Sequence, residues 1–250
     1  MMTIGLVLAL VIGLALGLFG GGGSTLTVPI FVYVLGFDAK LAVAMSFPVV
    51  GATSLIGAVG HWRAGNIRLT NALIFGLVTM TGAYGGARAS RLLDGRTQLV
   101  ILGAAMAVAA VMMMRSAHRD ATEAATPEAP SIVLYVVGLA VGALTGVIGI
   151  GGGFLLVPAL VGFGKVPMRE AVGTSLLVIS MNCVSGFAGQ RAALAIPWLF
   201  VCTFSAVAIV GILTGTRLVR FVPQRTLKRG FAVLLLVIGV LVLWQNHAKL

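Results

Sequence analysis

The sequence predicts an all-α polytopic membrane protein made of two sequence-related halves. Three observations predict it: a strongly apolar composition, apolar runs of membrane-crossing length, and a pattern of glycine, proline and arginine that recurs at one fixed offset. Of 250 residues, 59% are hydrophobic and 9% are charged, and the mean hydropathy is +1.11. Soluble domains carry roughly 45–50% apolar and about 25% charged residues. Runs of about 18–22 apolar residues can cross a hydrocarbon core of about 30 Å as helices, and they lack the period-2 alternation of a membrane β-barrel.

Five apolar segments fall in the first half, at 2–19, 25–36, 39–60, 69–87 and 97–114. Five more follow at 132–149, 153–164, 168–189, 196–216 and 230–244. Between them lies RSAHRDATEAATPEAPS, whose Pro, Ala, Thr and mixed charges mark a solvated connector. The domains read from this are a first transmembrane repeat at 1–114, a connector at 115–131 and a second repeat at 132–250. The first segment has no basic residue before it and no small-residue cleavage site, so it reads as a retained helix.

A shift of 129 pairs Gly13, Gly17, Gly20, Gly22 and Gly23 with Gly142, Gly146, Gly149, Gly151 and Gly152. It also pairs Val28–Pro29 with Val157–Pro158, Ser46 with Ser175, Thr53 with Asn182 and His61 with Gln190. Chance matches among apolar residues are common, but matches at glycine and proline in one register are not. The paired Gly13/Gly17 and Gly82/Gly86 have the four-residue spacing that lets helix backbones approach closely in lipid.

The segments at 25–36 and 153–164 are short: about 12 residues cover only about 18 Å of helix. That shortness favours four spanning helices per half plus a short re-entrant segment at each glycine-rich break, with parallel halves. The alternative is five plus five crossings with inverted halves. Both layouts divide the basic residues eleven against six, and both place the two termini on the external side of a cytoplasmic (inner) membrane.

The excess of 17 Lys+Arg over 6 Asp+Glu fits this orientation signal. It does not fit nucleic-acid binding, because the basic residues sit in connections without a basic helix face or interleaved aromatics. Cys183 and Cys202 fall in apolar segments and give neither a disulfide frame nor metal spacing. No metal or cofactor is expected. No catalytic residue is expected either: the sequence has no HExxH motif, no nucleophile elbow with a partner histidine and no paired acids, so the chain reads as a non-enzyme.

Irregular backbone at membrane depth survives only where protein or a cavity surrounds it, so the two glycine-rich interruptions mark a binding site. Helices that start after them direct free N–H groups at a ligand and favour an anion. They are not a P-loop, because no Gly-Lys-Ser/Thr follows. The candidate substrate-binding residues are Gly20, Gly21, Gly22, Gly23, Ser24 and Thr25 in the first half with Gly149, Gly151, Gly152 and Gly153 in the second. Hydroxyl and amide groups on the next helices add Ser46, Thr53, Thr174, Ser175 and Asn182. His61, Arg63, Gln190 and Arg191 follow at their ends, where a guanidinium could hold a sulfonate or carboxylate. All six acids lie in connections, which disfavours a carboxylate-based cation site.

The duplicated glycine stretch with its Val-Pro, the following Ala-Val-x-x-Ser (residues 42–46 and 171–175) and the Gly-x-x-Gly before His61 resemble the TauE/SafE family of membrane transporters. The resemblance covers essentially the whole chain except the connector. It implies a secondary transporter, on balance an exporter, of small sulfur-containing anions such as sulfite or organosulfonates, without an ATPase or enzyme domain. The expected partners are that small anion and the lipid bilayer, and the chain could pair as a homodimer. Gln190 in place of His61 departs from a symmetric site.

Overall fold

A computed structural model describes residues 2–118, 132–149, 153–164, 166–190 and 195–247. These residues are helical almost throughout. Helix α1 is Met2–Phe19, followed by a 3-10 stretch at Gly20–Leu26, a single turn α2 at Thr27–Pro29 and a π-type turn at Ile30–Val34. Then come α3 (Ala39–Arg63), α4 (Leu69–Ala89) and α5 (Gly95–His118). The second half supplies α6 (Ile132–Ile148), α7 (Gly153–Gly162), α8 (Met168–Gln190), α9 (Trp198–Leu218) and α10 (Gln224–His247). Adding 129 to the bounds of α4 and α5 reproduces those of α9 and α10.

Among the described residues six helical stretches are long and apolar enough to cross a membrane by length and composition, and one of them, Ile4–Val34, contains the first glycine-rich interruption. The outward faces of the helices carry large apolar side chains such as Val7, Leu77, Val108 and Val210, which suit lipid contact. Trp62, Trp198 and Trp244 are exposed near helix ends, where indole rings sit at membrane interfaces.

Helix directions follow from the glycine contacts. Gly13 lies on Ala208 and Gly17 on Ile212 and Thr216, so α1 and α9 run parallel; Gly82 on Leu139 and Gly86 on Ala143 make α4 and α6 parallel too. A Cβ on Gly13 or Gly86 would stand 1.9 or 2.0 Å from a facing carbonyl oxygen, so these helices touch backbone to backbone. By contrast α3 and α8 are antiparallel, with Phe47 on Gly186, Gly51 on Cys183 and His61 on Gly173. Antiparallel too are α5 and α10, with Gly103 on Leu243 and Met106 on Gly239.

The stretch after α1 corrects two expectations. The glycines do not form an open irregular break: the chain reverses at Gly20, whose φ is +64°, and then coils as a 3-10 helix. A helix keeps backbone hydrogen bonds inside the segment, which an apolar surrounding requires. Nor is the segment short: the chain runs back along α1, with Gly23 on Leu16 and Ile12 and finally Leu35 on Gly5, so it extends nearly the length of that helix. Counting apolar residues from Thr25 left out the helical glycines that supply the missing length. Similarly, Glu170 lies in the first turn of α8 rather than in a connection.

Candidate functional site

In each half the first helix ends on a left-handed glycine, Gly20 after α1 and Gly149 after α6. Gly20 (φ +64°) leans on Val172 and Ser175 of α8, while Gly149 (φ +81°) leans on Val43 of α3 and its carbonyl meets the Ser46 hydroxyl. Side chains with a Cβ are strained at such angles, so glycine is required for the turn itself. The two turns also meet. A Cβ on Gly21 would stand 1.6 Å from the carbonyl carbon of Gly153, so the start of the 3-10 stretch and the start of α7 touch with no side chain between them.

Hydroxyls line these turns. Ser24 Oγ donates to the Gly21 carbonyl and Thr25 Oγ1 to that of Gly22, both at 2.6 Å. Ser46 Oγ donates to Val43 O at 2.7 Å and also reaches the Gly149 carbonyl, tying α3 to the second turn. Ser175 Oγ donates to Val172 O at 2.8 Å, and Thr53 Oγ1 to Val49 O at 2.6 Å. Thr174 Oγ1 accepts from the Arg68 backbone N–H at 3.4 Å. Thr79 Oγ1 donates to Asn182 Oδ1 at 2.9 Å, linking α4 to α8.

Gly20 to Gly23, Ser24, Thr25, Ser46, Thr53, His61, Gly149, Gly153, Thr174, Ser175, Asn182 and Gln190 are all buried. Arg63 is exposed and does not join them. It follows His61 by two residues, which on a helix is a rotation of about 200°, so the two side chains leave opposite faces. Gly151, Gly152 and Arg191 lie outside the described residues.

Among the described residues several buried polar atoms find no hydrogen-bond partner: Thr27 Oγ1, Ser54 Oγ, His61 Nδ1, Asn182 Nδ2 and Gln190 Oε1 are examples. Each would cost free energy if left so, at about 1–3 kcal/mol. They are unspent hydrogen-bonding capacity inside the bundle. Thr27 was not expected here; its place one turn beyond the glycines was the available signal. Among the described residues no acidic side chain is buried and no cluster of His, Cys, Asp or Glu could hold a metal ion.

At the end of the bundle where α3 finishes, the loop to α4 covers the first turn. Asn66 O packs on Gly173, and Arg68 Nε pairs with Glu170 at 2.5 Å, both side chains being about one-third exposed. At the other end an aromatic group closes the bundle: Phe31 meets Phe204 at 5.0 Å and Phe200 at 5.8 Å between ring centroids.

Long apolar helices packed around paired backbone turns define the class of protein, a polytopic helical membrane protein of transporter type. The chain belongs to the family described as "Sulfite exporter TauE/SafE", which it matches over residues 5–242. It is 32% identical to a "Probable membrane transporter protein" of Xylella fastidiosa over 96% of this chain and 94% of that one. It is 24% identical to the "Probable membrane transporter protein YdhB" of Bacillus subtilis, covering 93% and 96% of the two chains. A protein of the same description from Methanocaldococcus jannaschii is 27% identical over 72% of this chain and 69% of its own. No solved structure matches the chain.

Proposed function

We propose that the protein is a secondary transporter that exports a small sulfur-containing anion, such as sulfite or an organosulfonate, across the cytoplasmic membrane. The observation that carries this reading is the meeting of the two glycine turns inside the bundle, Gly21 against Gly153, among buried hydroxyls and amides with no buried carboxylate described beside them. Neutral donors and helix starts suit an oxyanion, whereas a cation would call for carboxylates. The family's description supports the sulfur chemistry.

The substrate-binding set in this reading is the two turns with Ser46, Thr53, Thr174, Ser175 and Asn182. Thr27 and Ser54 join it as buried hydroxyls with free capacity. Arg63, being exposed, would act at the mouth by attracting the anion.

The architecture proposed is five plus five crossings in inverted repeats, 1–114 and 132–250, joined by the connector at 115–131. The helices paired by the 129-residue shift, α3 with α8 and α5 with α10, run antiparallel, which supports a pseudo-twofold axis in the membrane plane. Alternating access would then be a rocking of one half against the other. In this layout Arg63, Arg68, Arg169, Arg217 and Arg220 share the face with eleven basic residues, which is the cytoplasmic one, and both termini are external.

The test is flux through proteoliposomes loaded with labelled sulfite, thiosulfate or methanesulfonate. Saturable flux of at least one is expected, and a folded protein that moves none of them would end the anion reading.

A further inference from the structure

We propose that His61 takes up a proton when the anion binds, so that the site holds a proton and an anion together; this rests on the anion reading above. His61 is fully buried at the end of α3, packed on Gly173 of α8. Its Nε2 is 3.4 Å from the carbonyl oxygen of Gly17 on α1, and its Nδ1 is buried with no partner. A carbonyl only accepts, so the contact places the ring hydrogen on Nε2 and leaves Nδ1 as a bare acceptor. Among the described residues nothing donates to it.

A proton added at Nδ1 makes a second N–H, which then lacks an acceptor and carries an unpaired charge in apolar surroundings. An anion supplies both missing elements. The step balances simply: Nδ1 accepts a proton from solvent, the imidazolium donates a hydrogen bond to an oxygen of the anion, and release of the anion returns the proton. Each of the two ligands is poorly held alone and well held with the other.

The surroundings leave this pairing uncontested. Helix α1 carries no ionisable side chain. On α8, Arg169 donates to the carbonyls of Arg220 and Val222, and Glu170 is paired with Arg68 from the α3–α4 loop. On α9, Thr216 packs on Gly60, and the neighbouring Arg217 is exposed, as is Arg63 on α3 itself. Glu170, the one acid on these elements at this end, is thus already paired with a guanidinium.

The second half contains its own control. Gln190 occupies the position 129 residues on, is buried, and has Oε1 without a partner. An amide can hydrogen-bond an anion but does not titrate near neutrality. Proton uptake is therefore confined to the end of the molecule that holds His61.

The experiment measures binding of methanesulfonate and thiosulfate, which stay fully ionised between about pH 5 and 8, to the purified protein across that range. The wild type should lose affinity as pH rises, by about tenfold per unit at the steepest. Calorimetry in buffers of different protonation enthalpy should count close to one proton taken up per anion. His61→Gln, which copies the second half, should bind with little pH dependence and no proton uptake. Binding by the wild type without proton uptake, or a His61→Gln protein that keeps the wild-type slope, overturns the proposal while leaving anion transport standing. Absence of any binding by the wild type removes both. The proton count on the wild type decides the matter even if the variant does not fold.

Discussion

At Gly20 the chain turns against Val172 and Ser175, and 129 residues later Gly149 meets Val43 and Ser46, the shift-related partners of those two residues. Both serines bond the carbonyl three residues before them. What differs is the next layer. Ser46 also reaches the Gly149 carbonyl, and His61 with its Gly17 contact stands where the other half has Gln190. The left-handed glycine and its packing are thus duplicated while the chemistry around them is not.

The strongest way to break this comparison is to separate the turns. Gly21→Ala would drive a Cβ into the Gly153 backbone, an overlap of main chain on main chain that no rotamer relieves. The expected cost is at least about 4 kcal/mol, with loss of transport and of a monodisperse peak in detergent. Gly85→Ala is the matched control, since that glycine is exposed on α4 and its Cβ would meet nothing within 4 Å. It should be neutral or stabilise by about 0.5–1 kcal/mol. If Gly21→Ala transports like the wild type, the two turns do not work as one site.

Next in size is the contrast between the serines. Ser46→Ala removes the hydroxyl that reaches the Gly149 carbonyl inside the bundle and should lower stability by about 1–3 kcal/mol. Ser175→Ala leaves Val172 O within the α8 ladder and should cost less than about 1 kcal/mol. Paired thermal unfolding in detergent checks the order. Equal losses would mean that the bond across the halves contributes nothing beyond the local one.

Much of this arrangement could be read from the sequence, and the reasons for the rest are specific. Apolar runs located all ten segments, and the glycine pairs anticipated the close helix contacts at Gly13, Gly17, Gly82 and Gly86, because small residues four apart have a packing meaning of their own. The path of the chain after α1 could not be read. Glycines look like a break in a hydropathy trace whether they uncoil or form a 3-10 helix, and the basic residues divide eleven to six in either layout. The contact of Ser46 with Gly149 spans 103 residues, a distance at which no local pattern speaks. His61 and Arg63 were alike as candidates, because the direction a helix end presents depends on which neighbour covers it.

The smallest predicted effect concerns how the last helix of each half begins. Before α5, Asp94 accepts a hydrogen bond from the Thr97 backbone N–H at 3.2 Å and another from the Thr97 hydroxyl. Before α10 the corresponding residue is Pro223, which has no side-chain acceptor and takes part only through its carbonyl, to Leu227 N at 3.1 Å. The Thr97 hydroxyl, then its backbone N–H, hold the Asp94 carboxyl below the usual carboxylate range. A folded-state value below the unfolded one stabilises the protein above the unfolded pKa, and that contribution disappears as pH falls through the lowered folded value. The melting temperature of the wild type should therefore decline in the acid range. Asp94→Ala should start slightly lower at neutral pH and decline less, while Asp94→Asn should keep a cap acceptor and lose most of the pH dependence. Because Asp94 is fully exposed, solvent screens the effect and the shift should be smaller than that of Ser46→Ala. An acid decline unchanged in Asp94→Ala would place its cause elsewhere and make the two helix starts equivalent despite their different residues.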